Sequence, residues 1–375
     1  MFYDDYLKEN KEWIDDVWEK LDKKLSRTAV KSRDMIPYTT KDGQHFTDKN
    51  IFWWTNGFWG GLMWLMYAGT GKDVYKDTAD NAEKILDKAF EDVAELHHDV
   101  GFMWHISSGA SYKLTGNMAS RNRDILAAMS LMSRYNVDGD FITSWNGKEK
   151  SGWTIIDCMM NIPQLYWASK EIGDDRFKKL AIRYADMAMR DHVRADGSVN
   201  HIVSHDIETG DVIETFGGQG YEVGSCWSRG DAWALYGFIL SYIHTKDVRY
   251  LDTAKKVAHY FISNIIATDW LPLVDFRQPE TPVWYDSTAG AIAACGLIEI
   301  AKNVPEHEKK MYITAAVKLL KAMEKEWCDW SEQEDSILQM GTEAYNHGVH
   351  MPIIYGDYFF AEAILKLRGS DFMPW

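Results

Sequence analysis

The sequence predicts an all-α fold, a closed ring of six helical hairpins or (α/α)6 barrel, on three observations. Apolar residues recur mostly at helical spacing, and strand-type alternation is scarce and local. A unit of roughly 60 residues recurs along the chain, pairing a helix apolar nearly all round with one that keeps a charged face. Short polar turns join the two kinds, at Ala68 to Tyr75, Lys113 to Asn117, Glu171 to Phe177, His244 to Tyr250 and Ala301 to Glu306.

The first outer helix is expected from Tyr6 to Leu25. The apolar helices follow at Thr55 to Ala68, Phe102 to Thr115, Ile155 to Lys170, Arg229 to Thr245, Ser287 to Lys302 and Gly356 to Leu367. A helix apolar on all sides has no face for water, so these six form the inner ring. After each turn comes an outer helix such as Asp174 to Asp191, where Phe177, Leu180, Ala181, Tyr184, Ala185 and Ala188 make one apolar stripe. Two long connections interrupt the alternation. Asn200 to Gly224 is too rich in glycine for a helix and holds the strand-like piece His201 to His205, and Ser331 to Met351 is the second. Loops of this length in a compact domain usually carry function. Short β segments are therefore expected at the mouth of the barrel.

Composition narrows the function classes. The chain has 375 residues, 46% of them hydrophobic and 26% charged, enough for one large core, and residues 1–375 are expected to form a single catalytic barrel. A net charge of -15 argues against nucleic acid or an anionic membrane as partner. The stretch Ala289 to Ile300 is too short to span a bilayer, and the start at Met1 to Asp5 lacks a basic, apolar leader pattern. Cys158, Cys226, Cys295 and Cys328 are far apart, which suits reduced thiols and a cytoplasmic location. Monomer and homo-oligomer are equally compatible with the sequence. Aromatic residues reach 14%, with 17 Trp and 19 Tyr, a supply suited to stacking on sugar rings as well as to filling a core.

If every inner helix runs the same way, their N-termini converge on one mouth, where free N–H groups and partial positive charge favour an anionic ligand. Asp157, in Ile155 to Asn161, is set among apolar residues at the expected start of a helix. Burial there disfavours the charged carboxylate and suits a general acid; the plainer reading is a helix cap. Asp99, beside His98 and ahead of an apolar helix, has the same two readings. The pair fits acid/base work on a glycoside, and a conventional inverting enzyme would hold them about 6.5 to 9.5 Å apart. Arg229 lies between Trp227 and Trp233 and could clamp a substrate carboxylate, or form a buried salt bridge to Asp231 or Glu222. Trp233 shares its face and is either core or ligand.

His201 and His205 are spaced as metal ligands can be, yet no carboxylate or cysteine completes a zinc pattern, so neither metal nor cofactor is expected. A phosphate-binding loop and a dinucleotide fingerprint are missing, and Gly217 to Gly220 does not open a strand-to-helix turn. A serine nucleophile elbow is missing too.

Four blocks in order, His98 to Met103, Trp153 to Asn161, Cys226 to Ala234 and Gly356 to Ala363, resemble the unsaturated glucuronyl hydrolases, glycoside hydrolase family 88. The likeness runs from about Trp53 to Leu367. Family 105, the unsaturated rhamnogalacturonyl hydrolases, shares the fold, but the block from His98 to Phe102 is closer to family 88. The resemblance implies removal of a 4,5-unsaturated uronic acid from the non-reducing end of lyase-generated oligosaccharides. Asp157 would protonate C4 of the vinyl ether and then help water add at C5, with Asp99 assisting by a shared hydrogen bond or by disfavouring its ionisation. His201, Gln219, Arg229 and Trp233 match substrate-binding positions of the family. Trp54 is a stacking platform by the same resemblance, His98 stands beside the second carboxylate, and Tyr345 and His347 belong to the C-terminal substrate loop. Some members carry a Ser-x-x-Ser-x-Lys type element there that accepts sulfated substrates, whereas this chain reads Asn346 to His350. Two rivals remain open to the sequence: a conventional inverting α/α-barrel glycosidase using Asp99 and Asp157, and a non-catalytic carbohydrate-binding barrel. The parent polysaccharide, whether glycosaminoglycan, xanthan, gellan, ulvan or plant polymer, leaves no mark in the sequence.

Overall fold

Two kinds of helix alternate along the chain in the structure, a computed structural model that describes residues 2–375. The elements are α1 (Phe2–Glu9), α2 (Lys11–Lys31), α3 (Phe58–Thr70), α4 (Asp73–Leu86), α5 (Ala110–Thr115), α6 (Met118–Ser133) and α7 (Pro163–Ile172). They continue with α8 (Asp175–Asp191), α9 (Ser228–Thr245), α10 (Val248–Ile266), α11 (Ser287–Asn303), α12 (Glu306–Trp327) and α13 (Ile354–Leu367). Helix α9 is buried from Ser228 through Ser241, α11 from Ser287 through Ala301, and α13 along its whole length. Helix α8, by contrast, buries only Phe177, Ala181, Tyr184, Ala185, Met187 and Ala188. Each large apolar side chain so buried contributes about 1.5–3 kcal/mol, and the charged remainder faces water.

The inner helices close on one another. Helix α3 packs on a π-helix at Gly101–Gly109, that helix on α7, α7 on α9, α9 on α11, α11 on α13 and α13 back on α3. Around them stand α2, α4, α6, α8, α10 and α12, which completes the six expected hairpins, and α1 is a short addition packed on α12. Asn10 breaks the expected Tyr6 to Leu25 helix into α1 and α2. Left-handed glycines Gly71, Gly116 and Gly173 end three of the inner helices where the polar turns were read. No helix among the described residues is long and apolar enough to cross a membrane.

Among the described residues, seven short strands lie in the connections: β1 (Thr39–Lys41), β2 (Gln44–Phe46), β3 (Tyr135–Asn136), β4 (Phe141–Ile142), β5 (Trp153–Ile155), β6 (Ile202–His205) and β7 (Val212–Phe216). The antiparallel sheet β5-β6-β7 joins the stretch before Asp157 to the stretch after His201, with Ile155 opposite Ile202. That pairing brings two segments far apart in sequence to one side of the mouth.

Two inner helices depart from the expected α-geometry where they meet. The stretch expected as an α-helix from Phe102 is a π-helix from Gly101 to Gly109 and becomes α only at Ala110. Its first residue sits against Asn161, where a Cβ on Gly101 would come 2.8 Å from the Asn161 Cα. The stretch expected as a helix from Ile155 is instead the end of β5, a 3-10 turn at Ile156–Met160, and then α7 with Pro163 in its first turn. The first inner helix likewise starts with a 3-10 turn at Trp54–Gly57. Wide or tight turns in place of α-geometry often mark functional sites, because they re-aim side chains.

Candidate active site

Asp157 sits in the 3-10 turn, buried, with Ile155 rather than Asp157 in the N-cap position. Its Oδ2 is buried without a hydrogen-bond partner and lies 3.5 Å from His201 Nε2. Asp157 is therefore not the N-cap but a carboxylate in the first turn. His201 is oriented from behind: the backbone N–H of Gln219 donates to its Nδ1 at 3.0 Å, and its ring lies against Trp227 with centroids 4.1 Å apart. A backbone N–H can only donate, so in the neutral ring Nε2 carries the proton, and that nitrogen has no hydrogen-bond partner.

Asp99 is surrounded rather than exposed. His98 Nε2 lies 3.1 Å from Oδ1, His97 Nδ1 lies 3.2 Å from Oδ2, and Asn161 Nδ2 donates to Oδ1 at 3.1 Å. The His98 ring is fixed by its Nδ1–H, which donates to the carbonyl of Ser144 at 2.7 Å. Burial works against ionisation of Asp99, and the neighbouring His98 and His97 rings overcome it, holding the carboxyl well below the usual carboxylate range. The ligand-type atoms of His97, His98 and Asp99 lie within 4.8 Å of one another, and His98 Nε2 is buried without a hydrogen-bond partner. The link between the two carboxylate segments runs through Asn161, whose Nδ2 also reaches the Asp157 carbonyl at 3.4 Å.

Arg229, in the first turn of α9, is buried over the faces of Trp227 and Tyr355, at 4.4 and 5.6 Å. Its salt bridge is to Asp286, not to Asp231 or Glu222, because Asp286 caps α11 through the Thr288 N–H and so stands at the adjoining inner helix end. Nη1 also donates to the Thr342 carbonyl at 2.6 Å, and Nη2 donates to the Glu343 carbonyl at 2.7 Å. Burial disfavours the guanidinium charge, and Asp286 outweighs that, leaving the group more basic than usual. Both terminal nitrogens thereby anchor the C-terminal loop through the Thr342 and Glu343 carbonyls. Buried Nε is the nitrogen left without a partner.

Gln219 joins the same anchor, since its Nε2 donates to the Glu343 carbonyl at 2.8 Å and its own carbonyl accepts the Tyr345 N–H at 2.9 Å. Trp233 is fully buried with an unpaired Nε1, packed on Phe102 at 5.1 Å and edge-on to Trp54 at 6.5 Å. Half-buried Trp54 stands over Tyr355 and Phe102, at 4.9 and 5.4 Å, with its remaining surface open at the mouth. Tyr345 and His347 lie at the rim: Tyr345 packs edge-on against Tyr221, and exposed His347 pairs with Glu343 at 3.1 Å. His201 and His205 do not converge. His201 lies just ahead of β6, by Asp157 and Trp227, whereas His205 at the end of the strand faces Asp191 at 3.0 Å and the ring of Phe141.

Residues not weighed from sequence complete the mouth: Asn161 between the two carboxylates, Asp286 behind Arg229, and Tyr355 beneath Trp54. The Asp286 to Thr288 cap pattern was readable, but its partner 57 residues away was not.

No family model matches the chain. An unsaturated glucuronyl hydrolase of Bacillus sp. strain GL1 is 33% identical over 363 residues, covering 93% of this chain and 95% of that protein. The chain belongs to the unsaturated glucuronyl hydrolases. An unsaturated chondroitin disaccharide hydrolase of Streptococcus pyogenes serotype M1 is 34% identical over 374 residues, covering 96% of this chain and 93% of its own length. The crystal structure of the Bacillus sp. GL1 unsaturated glucuronyl hydrolase, described as responsible for the degradation of glycosaminoglycan, superposes with a TM-score of 0.89 at 31% identity. It covers 94% of this chain and 97% of that one. As an unsaturated glucuronyl hydrolase, the chain carries the expected α/α barrel and is a glycoside hydrolase.

Proposed function

We propose that the chain removes the 4,5-unsaturated uronic acid at the non-reducing end of short lyase-generated oligosaccharides by hydrating its vinyl ether. The observation that carries this is the unpartnered Oδ2 of Asp157, buried at the mouth and facing His201 Nε2. Proton transfer to carbon needs a carboxyl group at hand with no internal partner for its proton, in a setting that water does not level. Asp157 gives its proton to C4, and its carboxylate then takes a proton from the water that adds at C5. The product is a hemiketal whose ring opens, releasing the next sugar and an open-chain keto acid. Asp99, held ionised by its histidines, stays charged beside the developing positive charge on the ring oxygen and C5.

Recognition of the uronate is supported by the Nε–H of Arg229, the indole N–H of Trp233 and the positive ends of α9 and the π-helix. Trp54 offers its open face to the sugar. His98 stays behind Asp99, and Gln219, Tyr345 and His347 shape the loop on the leaving-sugar side. One relative is named for an unsaturated chondroitin disaccharide and another is described as responsible for the degradation of glycosaminoglycan, which makes an acidic disaccharide with an amino-sugar leaving group the first substrate to try. A cytoplasmic location fits the four unpaired cysteines.

The test is the ultraviolet absorbance of the conjugated double bond in unsaturated disaccharides. Hydration consumes it and Asp157→Asn stops that loss. A conventional glycosidase would release sugar with the absorbance kept, and a binding module would leave both unchanged.

A further inference from the structure

Asn161 belongs to no binding role proposed above, yet it is fully buried between the two carboxylate segments. Its Oδ1 accepts the backbone N–H of Phe102 at 2.9 Å, in the first turn of the π-helix. Because a backbone N–H can only donate, the amide has one possible orientation, with Nδ2 facing Asp99 Oδ1 at 3.1 Å and the Asp157 carbonyl at 3.4 Å. Nδ2 can only donate in turn. Asp99 Oδ1 must therefore accept. The close approach that makes this possible depends on Gly101, where a Cβ would meet Asn161 Oδ1 at 2.8 Å.

We propose that Asn161 is a positioning residue that fixes the division of labour between the two carboxylates, holding Asp99 as a hydrogen-bond acceptor so that Asp157 alone carries the transferable proton. This rests on the assignment of Asp157 and Asp99 as the reacting pair. The polarity originates in the backbone of the π-helix, passes through one amide and ends on Asp99. The other charged or titratable groups facing the junction are His97 and His98 from the preceding loop, Arg134 after α6, Cys158 in the turn, Tyr184 of α8, His201 ahead of β6 and Arg229 of α9. None of them has its polarity dictated by the backbone of both neighbouring segments.

The experiment is the pH profile of kcat for wild type, Asn161→Asp and Asn161→Leu, with Asp157→Asn as control and thermal melts of each. In Asn161→Asp one oxygen still accepts the Phe102 N–H, so the other faces Asp99 without a donor unless it is protonated. We expect its basic limb to move to lower pH, so that activity relative to wild type falls at least tenfold between pH 5.5 and 7.5, while KM changes less than threefold. Asn161→Leu removes the donor without adding charge, and its acid limb moves to higher pH. If Asn161→Asp fails to fold, the limb shift in Asn161→Leu decides. Profiles of unchanged shape in the folded variants, with only a uniform loss, would overturn the proposal and leave Asn161 a packing residue. Activity surviving in Asp157→Asn would instead overturn the assignment of the reacting pair.

Discussion

The barrel buries two clusters of charge, one at each end of its inner helices, and they are built differently. Toward the C-terminal ends, Lys366 of α13 is buried and pairs with Glu299 at 2.7 Å and Glu362 at 3.4 Å. Tyr236 donates to Glu362, and the Trp375 Nε1–H donates to it at 3.1 Å while the indole stacks parallel on Phe359. Burial works against the Lys366 charge, and the two carboxylates outweigh it, raising the amine well above its usual range. Every charge there has its counter-charge inside the protein. At the mouth, Asp157 Oδ2, His201 Nε2, Arg229 Nε and Trp233 Nε1 are equally buried and have no hydrogen-bond partner. Buried polar groups cost free energy unless they are satisfied, so a cluster left open marks the place where a polar ligand completes the structure.

The sharpest break of this comparison is Asp157→Asn, which keeps the shape of the open cluster and removes its proton. We expect kcat for loss of the vinyl-ether absorbance to fall by about 10⁴-fold with substrate binding retained, near the top of what one positioned proton donor contributes. Lys366→Met should act in the opposite way, leaving Glu362 buried without its cation and Glu299 with Lys302 alone. Urea denaturation should show a loss of about 3–5 kcal/mol, with kcat per folded molecule unchanged.

The third effect concerns the support under the mouth. His192 is buried, its Nδ1–H donates to the Asn200 carbonyl at 2.8 Å, and its Nε2 lies 2.9 Å from Thr154 Oγ1 in β5. Burial, only partly opposed by the Asn200 bond, pushes its pKa down to about 4. The unfolded chain therefore binds the proton first, so this stability is fully present above pH 6.5 and is lost as the pH falls through about 4. A decline of about 3 kcal/mol across that window in unfolding free energy, absent in His192→Gln, checks the sign and the size. The smallest expected effect is Arg229→Lys. An ammonium can still face Asp286 but cannot also hold the Thr342 and Glu343 carbonyls, so KM should rise about tenfold through a loosened C-terminal loop, the loss expected of a charge-assisted bond. A KM unchanged from wild type would mean that the loop does not need its anchor.

Several features of the site were legible before any coordinates. The apolar company of Asp157, the His98 and Asp99 pair, and Arg229 between two tryptophans all stood out because polar groups in apolar stretches are costly and hence rarely accidental. What escaped was long-range pairing. Asp231, two residues from Arg229, was a natural partner by sequence, whereas Asp286 holds the guanidinium because α9 and α11 are neighbours in the ring. His201 and His205 shared a face on paper, but the strand starts only at Ile202, and the two rings have different neighbours, Asp157 and Trp227 for one, Asp191 and Phe141 for the other.

By itself the sequence determined the all-helical ring, because helical period and polar turns are local properties that each segment carries alone, and it pointed to the stretches that lead into the inner helices, because helix direction follows from chain order. Only the tertiary structure decided which polar atoms at that mouth are spent and which are left open. That outcome depends on a few ångströms of approach between segments such as Gly101 and Asn161, a distance set by the packing of the whole barrel and by no stretch within it.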